Sequence, residues 1–116
     1  MNILKDGQKT TKVDSTRAAK GTQLYAVVSQ EGVLVRGSGV VSVSSCGNGY
    51  YEVIFNCNVR QGAYVGTIGY TTYCGVCPAG IMTVVGRCTT EAGVWVSTYD
   101  MNGNLTDQPF HLIVDL

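Results

Sequence analysis

Cys74-Gly75-Val76-Cys77-Pro78 is the stretch in which residue type and spacing together suggest chemistry. A C-x-x-C pair can supply half of a zinc site, act as a redox dithiol or close a disulfide. Cys46, Cys57 and Cys88 bring the cysteines to five. A structural zinc takes four ligands, typically from two such pairs, and the chain has one pair. The spacings of Cys46, Cys57 and Cys88 match no common zinc module. A redox C-x-x-C sits at a helix start in an α/β chain, and the strand patterning here does not supply that setting. Cys46 and Cys57 flank an expected hairpin and are positioned for a disulfide near one of its ends. The odd total leaves one thiol unpaired or joined to another subunit. Disulfide, buried thiol and metal stay open as readings of the cysteines, and no cofactor or metal is assigned.

The remaining reactive groups are sparse. His111 is the one histidine and lies between Phe110 and Leu112 in an expected strand, so it points away from both. A partly exposed strand or interface histidine explains it better than catalysis. The eight carboxylates are scattered singly, whereas acid-base and nucleophilic mechanisms need positioned sets. Phosphate-loop, dinucleotide and zinc-protease motifs are missing from the sequence. An enzyme is not expected. Asn48, Tyr50 and Tyr73 fall at expected loop ends, where tyrosine and asparagine offer apolar area with hydrogen-bonding tips. They are the candidate receptor or glycan face.

These residues must be positioned by strands. Period-two alternation runs through Leu24 to Ser29, Val33 to Arg36, and Val41 with Val43. Cys46-Gly47-Asn48-Gly49 reads as a turn whose Asn and Gly accept positive φ. Tyr51, Val53 and Phe55 then share one face, completing a hairpin from Val40 to Phe55. Further strands are expected over Tyr64 to Thr72, Ile81 to Val85, Val94 to Tyr99 and Phe110 to Val114. Gly66 and Gly69 mark a bulge or a close backbone approach, and Asp100-Met101-Asn102-Gly103-Asn104 a turn. Seven or eight short strands at this spacing predict an all-β chain. The architecture expected is an antiparallel, jelly-roll-like β-sandwich over residues 23–116, preceded by an extended basic connector arm over 1–22.

Composition agrees. Of 116 residues, 45% are hydrophobic, 14% charged and fifteen are glycine, the opposite of a charge-solvated disordered chain. Residues 1–22 carry five basic and two acidic side chains, a net +3, and the rest of the chain three basic and six acidic, a net −3. A basic arm on a mildly acidic body suits docking on a sister subunit. The arm has no aromatic side chain to interleave with its charges, so nucleic acid is not an expected partner. An apolar run of membrane-spanning length is missing, and the first 22 residues lack the apolar core of a secretory signal. No membrane partner is expected, and the chain is taken to be made without a visible signal peptide.

The segments "LYAVVSQEGVLVRGSGV", "GYYEVIF", "GAYVGTIG" and "VWVSTYDMNGNLTDQPFHLIVDL" recur in an order that resembles a family of small bacterial and phage β-sandwich domains. These domains end collagen-like, fibre or surface proteins. The arm, "ILKDGQKTTKVDS", resembles the opening of phage head or decoration proteins. The resemblance implies a self-associating, non-catalytic virion or extracellular subunit, a trimer or else a filament, with capsid or other virion proteins as further partners. A host-surface glycan or receptor is the alternative partner, and a cysteine-linked bacterial surface or spore-type filament the alternative assembly. The low charge of the body predicts that an uncharged strand face, either Val94, Val96 and Thr98 or Trp95, Ser97 and Tyr99, meets another chain.

Overall fold

Alternation of small polar and β-branched side chains gives each strand one face to bury and one to leave out. In a computed structural model, which describes residues 21–116, this produces eight strands and no helix. They are β1 (Gln23–Val28), β2 (Leu34–Ser38), β3 (Val40–Ser45), β4 (Tyr50–Phe55), β5 (Ala63–Ile68), β6 (Ile81–Gly86), β7 (Gly93–Tyr99) and β8 (Phe110–Asp115). Two four-stranded antiparallel sheets form, ordered β2-β1-β8-β5 and β3-β4-β7-β6. The chain is an all-β sandwich, as its patterning predicts. The basic arm falls almost wholly on residues 1–20, outside the described residues.

The inner faces meet in one core. Leu24, Ala26 and Val28 of β1 and Phe110, Leu112 and Val114 of β8 face Tyr51, Val53 and Phe55 of β4 with Val94 and Val96 of β7. The Tyr51 and Phe110 rings join the sheets at 5.1 Å and 57° between planes, a tilted contact that aromatic quadrupoles favour. Val94, Val96 and Thr98 are therefore buried within the chain. Of the two uncharged faces of β7, only that of Trp95, Ser97 and Tyr99 points outward.

Register sorts the links. The segments 29–33, 46–49, 69–80 and 100–109 gather at one end, the loop end. The β2–β3, β4–β5 and β6–β7 links lie at the other, where Gly21 N donates to Leu116 O at 2.6 Å. Gly39 alone separates β2 from β3 and carries the chain from one sheet to the other at φ +77°.

The end of β5 and the β3–β4 turn depart from the sequence reading, while Gly66 and Gly69 mark a close approach, one of the two alternatives expected there. β5 stops at Ile68 instead of continuing to Thr72. Gly69 N still donates to Pro109 O at 3.1 Å, but proline has no N–H to return, so the ladder ends there. Gly66 marks a close approach to the Met82 side chain, and the β5–β8 register runs unshifted past it. The irregular positions are instead Val27/Val28 and Val40/Ser42. In the β3–β4 turn Gly47 and Gly49 take positive φ and Asn48 does not.

Candidate functional site

The loop end is held by side chains bonded to backbone. Asn48 Nδ2 donates to Leu105 O at 3.0 Å, and Gly49 N donates to Asp107 Oδ1 at 2.7 Å. Thr98 Oγ1 donates to Thr106 O at 2.6 Å, and Tyr51 Oη to Gln30 O at 2.6 Å. Burial, then the negative charge of Asp107, pushes the Tyr51 phenol up to about 12. Asp100 accepts from Asn102 N at 2.8 Å and Asn104 N at 3.0 Å, closing its turn. Those backbone donors, Asn104 first, hold its carboxyl below the usual carboxylate range.

The segment 69–80 forms a strap at this end, tied to the β2-β1-β8-β5 sheet from two strands. Arg36 Nη1 of β2 donates to Thr71 O at 3.1 Å, and its guanidinium lies 5.5 Å from the Tyr73 ring centre. His111 Nε2 of β8 lies 2.8 Å from Tyr70 O. A carbonyl only accepts, so Nε2 carries a proton there, and Nδ1 has no hydrogen-bond partner among the described residues. Opposite each other across the sheet, Arg36 pairs with Val27 and Val27 with His111. Together with Gln23, Tyr25 and Ile113 they line a cavity of about 250 Å³ on the outer face.

The other sheet carries a separate cluster. The Tyr50 and Trp95 rings meet at 5.5 Å, and Arg87 lies 4.6 Å over the Trp95 ring while its Nε pairs with Glu52 Oε2 at 2.7 Å. This is the ion pair found among the described residues. Tyr50 and Trp95 are both half-buried.

The three candidate receptor residues all lie at the loop end, in different settings. Asn48 is a turn staple, Tyr50 packs on Trp95, and Tyr73 stands 91% exposed on the strap. The cysteines divide between the poles. Cys46, Cys74 and Cys77 lie at the loop end, Cys57 and Cys88 at the opposite end. Cys46 and Cys57 therefore sit at opposite ends of the β3–β4 hairpin, with its six-residue strands between them, and do not lie close as expected. Cys57 is buried, while Cys46, Cys74 and Cys88 are exposed. Among the described residues no group of three His, Cys, Asp or Glu side chains is placed to hold a metal ion.

Sequence reasoning missed Arg36 and the cavity beneath it. The signal was the outward series Gln23, Tyr25 and Val27, which alternates with the core residues Leu24, Ala26 and Val28. Its meaning depends on which strand lies alongside. No protein-family model, no curated protein and no solved structure matches the chain.

Proposed function

We propose that the protein is a non-enzymatic structural subunit that assembles with copies of itself, in a virion as a head-decoration or fibre protein or in another extracellular assembly. One observation carries this reading. Among the described residues β2 is an edge strand, bonded to β1 on one side only, and Val33, Leu34 and Val35 beside that edge are 59%, 38% and 47% exposed. Soluble proteins blunt such edges with charge, proline or cover, because unpaired N–H and C=O groups template the pairing of another chain. Arg36 is the only charge that β2 carries.

Residues 1–22 of a neighbouring copy are the proposed occupant. Extended, they reach roughly 70 Å at ~3.3 Å per residue, against a longest body dimension of 39 Å. Their net charge of +3 meets a body of −3, and strand addition supplies main-chain hydrogen bonds. A trimer is the preferred assembly, by analogy with stalk-ending domains, and a filament is the other closure such a head-to-tail contact permits.

Light scattering at micromolar concentration tests this on three proteins: the full chain, the chain lacking residues 1–20, and Val35→Lys, which puts a charge on the edge. The full chain is expected to run as an oligomer and both variants as monomers, Val35→Lys near 12.3 kDa and the shortened chain correspondingly lighter. A monomeric full chain, or an oligomer that survives both changes, refutes the reading.

A further inference from the structure

We infer that the cavity on the outer face of β2, β1 and β8 binds a pyranose bearing a carboxylate, a sugar of the uronic-acid type. The floor is apolar: Val27 lies between Arg36 and His111, and Ile113 faces Tyr25 across β1 and β8. Arg36 is a cation without a carboxylate partner, since Arg87 and Glu52 make the ion pair found among the described residues. Among the described residues its one hydrogen bond, from Nη1 to Thr71 O, leaves most of its donor fork unused. A fork of this kind matches a carboxylate in charge and in planar geometry.

The rest of the lining suits a sugar ring better than a bare anion. Tyr25 is 41% exposed and offers an aromatic surface for the C–H face of a pyranose. Gln23 is exposed at the lower rim and supplies both a donor and an acceptor. Nδ1 of His111, which has no hydrogen-bond partner among the described residues, is an acceptor for a sugar hydroxyl. Apolar floor, one cation, and a few convergent polar groups are the ingredients of a small-ligand site, and about 250 Å³, below the usual ~300–1,000 Å³, restricts it to a single small ring. The inference is independent of the assembly proposal: strand addition uses the edge of β2, and the sugar uses the face of the sheet.

Saturation-transfer NMR reads ligand binding to the full chain whatever its assembled size. The probes are glucuronate, glucose and acetate, and the variants are Arg36→Gln and Tyr25→Ala. Arg36 also ties the strap, so Tyr25→Ala, which leaves that tie intact, provides the second arm. The expected result is transfer to glucuronate at least five-fold above glucose, reduced at least five-fold in each variant, with glucuronate not displaced by equimolar acetate. Four results overturn the proposal. They are no transfer to glucuronate, equal transfer to glucose, loss in one variant only, and displacement by equimolar acetate, which means an adventitious ion only.

Discussion

Tyr51 joins three levels of the molecule through one phenol. Its ring fills the core against Phe110, its hydroxyl bonds Gln30 O in the β1–β2 turn, and Asp107 of the last loop lies near enough to act on its proton. The phenol pKa in the folded chain, about 12, lies above its unfolded value near 10. The folded state therefore holds the proton more tightly. The resulting stability is fully present below pH 10 and is lost as the pH rises toward 12. Tyr64, raised by burial, acts in the same direction. Tyr51→Phe is expected to cost about 1 kcal/mol at pH 7 through the lost hydrogen bond, yet to lose less stability than the parent between pH 10 and 12. Urea unfolding at pH 7 and pH 11 measures both. Equal alkaline losses in the two proteins would remove Tyr51 as a source. The period placed Tyr51 on one strand face with Val53 and Phe55, the face that the structure buries. Its hydroxyl bond was not legible in the sequence, because Gln30 lies 21 residues away and the turn that aims its carbonyl is set by packing.

At the scale of elements, period two named the strands and neighbours in space set their ends. The hairpin from Val40 to Phe55 was legible because both partners and their turn are contiguous in sequence. The early end of β5 was not, since Pro109 acts on it from forty residues downstream. The candidate site suffered most from this. Gln23, Tyr25, Arg36 and His111 come from three strands, and only the order β2-β1-β8 makes them one surface. Asn48 and Tyr50 were assigned to an exposed tip from position alone, and Leu105 and Trp95, distant in sequence, engage them. Gly39 shows how tightly one element constrains the next. At φ +77° a side chain is strained, and a Cβ there would stand 2.5 Å from Leu24 Cδ2 in the core. Gly39→Ala is expected to cost about 2 kcal/mol from strain together with displacement of Leu24. Thermal denaturation reads the loss, and an unchanged midpoint would show that the β2–β3 crossing tolerates another conformation.

Across the whole molecule the thiols report burial and polarity together. Cys46 and Cys74 at the loop end and Cys88 at the opposite end are exposed, Cys77 is half-buried and Cys57 is fully enclosed. A maleimide added to the native, reduced protein is expected to label Cys46, Cys74 and Cys88 first, Cys77 more slowly, and Cys57 only on unfolding. Mass spectrometry of the digested adducts gives the order, and early labelling of Cys57 would contradict a closed core. Exposed thiols at both poles also mean that copies stacked end to end would bring cysteines to every junction.

Gly21 and Leu116 are hydrogen-bonded side by side at the pole opposite the loops, and this decides how the sandwich carries force. The six residue pairs of β1 with β8 begin at that pole with Gln23 and Asp115. Tension applied between Gly21 and Leu116 opens this ladder like a zipper, one rung at a time, and needs little force. Load applied between Gly21 and the loop end instead strains the whole ladder along its length, so that its rungs must fail together. The same body is thus weak when pulled between its two ends and strong when pulled from pole to pole.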